Sequence, residues 1–402
     1  MHFDMARVLY ISYDGMAEPL GQSQVIAYLE RLADENEIHL ISFEKPSDLD
    51  SPERVAVPRT RLASAGIGWT PMRYHKRPSA AATLYDVARG QAMALWLARR
   101  LRTEIVHVRS YVPALIALPV KRLTGARLLF DIRGFWADER VDGGIWPAEG
   151  RIYRIAKRLE RRFFCAADHV VTLTEASVPV IKAFDYWDEP APPVTVIPTC
   201  VDLDHFAPPA APPAPEPFVF GYVGSFGTWY MMDETMALFR ALLGRRPEAR
   251  MLIVNRHEHD ALRAAATRAD IPAGRVEIGA ASHAEVATRI HRMHAASALI
   301  RPCFSKLSSA PTKLAEYLGC GVPCIGNTGV GDMEEILEGG GTGVALRDFD
   351  AASLGAAADR ILTLSEDPAV RARCRETALM RFSLERGVAD YRSIYSQLTA
   401  SL

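Results

Sequence analysis

Short apolar runs rich in β-branched side chains alternate with longer helical patterns along nearly the whole chain, and this alternation limits its folds more than anything else. A run buried on both faces is a strand of a parallel sheet, and each parallel step needs a crossover helix. Strands are expected in the first half at 8–13, 37–43, 105–108, 127–131, 169–173 and 194–197. The second half repeats the pattern at 218–223, 250–254, 276–278, 298–300, 322–325 and 343–346. Between the sets, residues 207–217 (APPAAPPAPEP) hold six prolines and are too stiff and too poor in N–H donors for either sheet. At 402 residues the chain is too long for one ordinary core. The expected fold is α/β: two doubly wound, Rossmann-like parallel-sheet domains, 1–206 and 218–383, joined by a linker at 207–217. Their ligand site is expected in a cleft at the carboxyl ends of both sheets.

Composition removes several functions. A net charge of -1 gives no general pull toward nucleic acid. The six cysteines are scattered, without the C-x-x-C spacing of zinc or redox sites, and read as core thiols of a reducing compartment. The N-terminus carries an acid where a signal peptide needs bases, and no apolar run approaches a membrane span, so a cytoplasmic location is expected. Asp202-Leu203-Asp204 and Asp348-Phe349-Asp350 have a D-x-D form, a pattern common enough to arise by chance, and no metal site is expected.

The stretch from Ser308 to Leu337, SSAPTKLAEYLGCGVPCIGNTGVGDMEEIL, carries the most chemistry. Ser308 or Ser309 can cap a helix, Pro311 is tolerated in its first turn, and Gly319 and Gly321 with Pro323 end it after about ten residues. At 100° per residue, Ser309, Thr312, Lys313 and Glu316 share one arc and Leu314, Ala315, Tyr317 and Leu318 the other. A helix start offers unpaired N–H groups and about half a positive charge, which suits a diphosphate, and Lys313 adds a full one. Glu316 can accept two hydroxyl hydrogen bonds, as from a ribose. A Gly-rich turn containing Gly329 then leads to a second helix start near Asp332 or Met333.

These residues, read as S-x-P-T-K-x-x-E-Y-L-x-x-G-x-P-x-I, resemble the donor-site signature of retaining GT-B glycosyltransferases, the large family that includes bacterial mannosyl- and glucosyltransferases. The resemblance implies that Glu316 binds the nucleotide ribose. The family's first glutamate, which reads the donor sugar, falls on Ser308 here. The segment VIPTCVDLDHF also resembles a family segment before the hinge, with Thr199 and Cys200 in place of Asn and Gly. In the family a helix like that expected at 384–402 returns to the first domain.

Other loops match the family pattern in part. Gly15 and Gly21 allow a tight turn after the first strand, and Gly21 is the best match to a family loop near the donor phosphates and acceptor. His107 ends one strand; after another, Arg133 stands where the family holds a histidine, with Asp138 beyond. Arg133 offers a fork of donors for phosphate or a carboxylated sugar. Where the family places an Arg and a Lys on the diphosphate, this chain has Ser225, Phe226, Gly227 and Thr228, so the charge is expected from Arg301, Lys306 and Lys313. The helix expected at 151–164 puts Ile152, Ile155, Ala156, Leu159 and Phe163 on a core face, and Arg151, Arg154, Lys157, Arg158, Arg161 and Arg162 on a basic back that suits an anionic membrane.

The resulting expectation is a retaining, metal-independent and cofactor-free glycosyltransferase. It would move a sugar from a nucleotide diphosphate to a glycan or lipid-linked saccharide at the inner face of the membrane, in bacterial surface-polysaccharide assembly. The alternatives are a nucleotide-sugar 2-epimerase using Asp131, Asp138 and Glu139, and a non-catalytic nucleotide-sugar-binding protein.

Overall fold

The computed structural model describes residues 5–77, 79–187 and 191–400. The chain forms two compact units: unit 1 comprises residues 1–197 with 385–402, and unit 2 residues 198–384. Unit 1 is built on strands β1 (Ala6–Ser12), β2 (Asn36–Glu44), β3 (Gly68–Arg73), β4 (Ile105–Arg109), β5 (Arg127–Asp131), β6 (His169–Thr172) and β7 (Val194–Val196), in the order β3-β2-β1-β4-β5-β6-β7. Unit 2 contains β8 (Val219–Val223), β9 (Arg250–Val254), β10 (Val276–Gly279), β11 (Ala295–Ser297), β12 (Cys324–Asn327) and β13 (Gly343–Leu346), in the order β10-β9-β8-β11-β12-β13. All ladder pairings among the described residues are parallel. Both sheets are therefore doubly wound, with switch points beside β1 and β4 and beside β8 and β11, where an open α/β sheet builds its ligand site.

The central strands are buried on both faces, as their apolar runs require: Leu9, Ile11, Ile105, Val106, Leu128 and Phe130 in unit 1, and Phe220, Met251, Ile253 and Ile325 in unit 2. Two strand positions depart from expectation. β3 was not expected because Pro71 interrupts a half-buried run, which an edge strand tolerates. β11 lies three residues before the expected 298–300, since the central strand is made of Ala295, Ala296 and Ser297, which carry little β signal.

The crossing between units also differs from expectation. It falls at Ile197–Pro198, and the Pro-rich 207–217 belongs to unit 2. Residues 198–206 stay with unit 2 because Val201, Leu203 and Phe206 are buried in its core. The Val201 N–H donates to the Phe382 carbonyl, and the Arg375 guanidinium donates to the carbonyls of Leu203, Phe206 and Gly319. The helix Leu384–Ala400 packs on unit 1, where Tyr391 donates to Asp131 (3.1 Å) and Tyr395 meets His107 (2.7 Å).

Candidate functional site

In unit 2 the loops at the switch point fold onto one another. After β8 the chain turns through Gly224, whose φ of +135° suits glycine. It then doubles back so that Arg301 N–H donates to the Trp229 carbonyl (2.8 Å) and Tyr230 bridges Ile300. Asn255, buried at the end of β9, holds this loop: its Nδ2 donates to the Gly224 carbonyl (2.9 Å) and to Glu258 Oε2 (2.7 Å). Glu258 also accepts from Phe226 N–H, and these two contacts hold its carboxyl below the usual range. Tyr222 OH donates to the Ser225 carbonyl (2.6 Å), while the rest of Ser225 is exposed.

The helix begins at Thr312 and runs to Gly319, eight residues. Its N-cap is Pro311, with no side-chain cap, so neither serine plays the expected capping role. The extended Pro311 stops the helix from reaching back, and Ser308 is buried in a short 3-10 turn, Phe304–Ser308. That turn is held by Gly331 N–H donating to the Lys306 carbonyl (2.8 Å). Gly329 (φ +77°) lets the next turn pack against Pro302, since a Cβ there would lie 2.9 Å from Pro302 Cβ.

Lys313 is 6% exposed, and its Nζ is buried without a hydrogen-bond partner. The ammonium lies between two ring faces, 4.0 Å from the Tyr222 centroid and 3.9 Å from that of Tyr230. Burial lowers its pKa to about 7, opposed by Glu316 one turn along. Burial also raises the Glu316 carboxyl to about 7, with Lys313 opposing. A buried cation without a hydrogen-bonded anion is costly, and Lys313 and Glu316 stand together on one helix with their pKa values drawn toward each other by burial. Lys306, also buried, has its ammonium 3.8 Å from the Trp229 ring centroid, and Arg301 lies over the same ring at 5.1 Å. The three bases expected to replace the missing pair thus gather around the loop that lacks it. The tyrosine cage, Trp229 and the Asn255–Glu258 brace escaped the sequence reading; a polar residue ending a buried strand was the one available clue.

In unit 1, Gly21 is sterically required, because a Cβ would sit 2.2 Å from the Gly15 carbonyl oxygen. The loop before it is braced by buried Glu44, which accepts from Met16 N–H (2.8 Å), Ala17 N–H (3.3 Å) and Ser42 OH (2.6 Å). Arg133 lies at the carboxyl end of β5 with φ +55°, 3.7 Å from Asp131, which Arg109 also approaches at 3.7 Å. Strain of this kind gathers at functional sites.

His107 does not reach a ligand surface. It is 1% exposed, enclosed by the rings of Tyr10, Tyr391 and Tyr395, and burial together with Arg109 and Arg133 holds its pKa well below the ordinary value. That environment suits a neutral packing histidine. Asp138 is likewise diverted: it accepts from Tyr153 OH (2.7 Å) and pairs with Lys157 (3.0 Å), fastening the helix Trp136–Asp142 to Arg151–Ala166. Asp202 and Asp350 of the D-x-D patterns accept backbone N–H groups in a turn and a helix cap. Among the described residues no group of His, Cys, Asp or Glu is arranged to hold a metal.

The basic helix is rotated from expectation. Ala156, Glu160, Phe163 and Phe164 form its buried face. Glu160 is fixed there by Tyr111 and Tyr186 (2.8 and 2.7 Å) and draws in Lys157. Ile152 and Ile155 are consequently exposed, among Arg151, Arg154, Arg158, Arg161 and Arg162.

Comparison with known proteins agrees with the fold. Residues 21–205 match the family described as Glycosyltransferase Family 4, and residues 207–380 match Glycosyl transferases group 1. No curated protein matches significantly. Among solved structures, sucrose-phosphate synthase from Thermosynechococcus elongatus superposes with a TM-score of 0.72 at 16% identity, over 99% of this chain and 100% of its own. HepE from Anabaena in complex with UDP-glucose gives 0.66 at 15%, over 98% and 100%. The lipopolysaccharide outer core galactosyltransferase WaaB gives 0.64 at 14%, over 97% and 99%. With a glycosyltransferase family matched in each half and two Rossmann-like sheets between them, the chain belongs to the GT-B glycosyltransferases.

Proposed function

We propose that the protein is a retaining, metal-independent hexosyltransferase. Unit 2 holds a nucleotide-diphosphate sugar at the start of the helix Thr312–Gly319, and unit 1 receives a glycan or lipid-linked saccharide. The observation that carries this reading is the unpartnered ammonium of Lys313, caged by Tyr222 and Tyr230 one turn from Glu316. A diphosphate would supply the missing anion, with Lys306 and Arg301 as further positive charge, and Glu316 would accept the ribose hydroxyls. As the acceptor oxygen bonds to the anomeric carbon, the bond to the β-phosphate breaks and charge builds on the leaving oxygen. Lys313 and the helix amides stabilise that charge, each well-aimed donor contributing about 10² to 10³ in rate. The acceptor proton passes to the departing phosphate oxygen. Because three bases provide the countercharge, no metal or other cofactor has a step to perform. The UDP-glucose complex of the structurally similar HepE favours a UDP sugar.

Asp131 is buried beside two arginines and Asp138 is engaged by Tyr153 and Lys157, which counts against the epimerase reading at those two positions. We also propose peripheral contact with an anionic membrane, supporting surface-polysaccharide assembly at its inner face. Ile145, Ile152 and Ile155 are 60%, 59% and 54% exposed beside five exposed arginines. At about 1 kcal/mol per base, these would give reversible docking of about 5 kcal/mol. No helix among the described residues is long and apolar enough to cross a membrane.

A thermal-shift screen with UDP, GDP, ADP and CMP, on the wild-type protein and on Glu316→Gln, tests the donor site. One nucleoside diphosphate should raise the wild-type Tm, and the variant should lose most of that response. An equal response in both proteins would refute the assignment.

A further inference from the structure

Apart from the residues discussed so far, unit 1 contains a fully buried carboxylate with a histidine in front of it. Asp86, in the helix Ser79–Arg100, accepts from Tyr13 OH (3.0 Å) and from the backbone N–H of His75 (2.9 Å), and its other oxygen lies 2.6 Å from His75 Nδ1. The backbone contact fixes where His75 stands, and the ring contact fixes how the imidazole is turned. With Nδ1 donating to the carboxylate, Nε2 remains as an acceptor on the far side of the ring. The His75 side chain is 36% exposed, whereas the carboxylate behind it is 0% exposed. Pinning the loop would need only Tyr13 OH and the backbone N–H, so the oriented ring is an additional feature.

Its position matches the ligand edge of the sheet. Tyr13 follows β1, and Tyr74 and His75 follow β3, with Tyr74 N–H donating to the Glu44 carbonyl at the end of β2 (2.8 Å). The Tyr85 ring and the imidazole meet nearly at right angles with centroids 5.2 Å apart, the Arg89 guanidinium lies 5.4 Å over the Tyr85 ring, and Tyr85 is 55% exposed. Pyranose rings carry flat C–H faces that lie against aromatic rings, and hydroxyls that need localised acceptors. Tyr85 and His75 offer one of each, side by side.

We propose that Tyr85 and His75, the latter oriented by Asp86, form a saccharide-binding subsite in which a pyranose packs on Tyr85 and donates a hydroxyl hydrogen bond to His75 Nε2. This names the part of unit 1 that holds the acceptor glycan, and to that extent it rests on the glycosyltransferase reading.

The test uses the full chain on an array of bacterial oligosaccharides and methyl glycosides of glucose, galactose, mannose and N-acetylglucosamine, followed by calorimetry with the best-bound sugar. His75→Ala and Tyr85→Ala should each weaken binding by about tenfold, the loss expected for one hydrogen bond or one stacking contact. Asp86→Asn should weaken it in the wild-type background but add nothing once His75 is alanine, a non-additivity that a merely structural role would not produce. Absence of glycan binding by the wild-type protein, or unchanged binding in both alanine variants, would overturn the proposal. The UDP-induced thermal shift, recorded on the same proteins, reports on unit 2 and should be unaltered. Failure of the donor reading would therefore appear as no UDP response in any of them, separately from the glycan result.

Discussion

Replacing Lys313 with methionine should stabilise the empty protein and weaken its donor binding. In the folded chain the ammonium lies buried without a hydrogen-bonding partner, and its pKa drops from 10.5 to about 7. A displacement of that size corresponds to a burial cost on the order of 5 kcal/mol when the site is empty. Methionine keeps the unbranched stem and its packing between Tyr222 and Tyr230 but carries no charge. That displacement already includes the attraction to Glu316, but methionine gives up the ammonium's contacts with both rings, each worth about 1–2 kcal/mol when desolvated, so the expected net is about 2 kcal/mol, a Tm rise of about 4–8 °C for a unit of this size. The same substitution removes a charged contact to the diphosphate and should weaken UDP binding by about 10- to 100-fold. Differential scanning calorimetry and titration calorimetry at pH 7 measure the two effects. A lower Tm together with unchanged nucleotide affinity would show that the lysine is a packing element and that the ligand sits elsewhere.

Further outcomes follow from the same geometry. Gly224→Ala places a Cβ 2.8 Å from Lys313 Nζ at a φ of +135°, so it should cost about 1–3 kcal/mol in urea melts and weaken UDP binding. Because the folded pKa of Lys313 lies below its unfolded value, the unfolded chain holds more protons between about pH 7 and 10.5, and this lysine's penalty should shrink as pH rises through that window. Diphosphate binding should restore the proton, giving uptake of about half a proton at pH 7 in calorimetry across buffers of different ionisation enthalpy, and Glu316→Gln removes the carboxylate that titrates in the same range. Ile152→Ser with Ile155→Ser should weaken, without abolishing, flotation with vesicles containing anionic lipid while leaving urea stability within about 0.5 kcal/mol, since both side chains are exposed.

The sheets were legible because doubly buried strands write their position as apolar runs, and eleven of the thirteen strands among the described residues overlap a run expected from the sequence. The exceptions have physical causes: β3 is a proline-interrupted edge, and β11 is a buried strand of two alanines and a serine, which carry little β signal. The helix face bearing Lys313 and Glu316 was legible because helical spacing fixes which residues stand together. The tyrosine cage was not, since Tyr222 and Tyr230 come from a different strand and loop and meet the lysine only through the fold. His107 and Asp138 misled for a related reason. Ending a strand or opening a helix is visible in sequence, but being roofed by Tyr391 and Tyr395, or claimed by Tyr153 and Lys157, depends on segments that arrive from elsewhere.

The helix Leu384–Ala400 bears on how the protein comes off the ribosome. It places Tyr391 and Tyr395 against Asp131 and His107, so unit 1 is finished by residues translated after the whole of unit 2. At about 5–20 residues per second, the nascent first unit must wait on the order of ten seconds or more for its missing wall, while its successor is already able to close. During that interval the polar ends of β4 and β5 are open to water and to chaperones. Nonsense changes near codon 385 should therefore cripple the half of the protein made first.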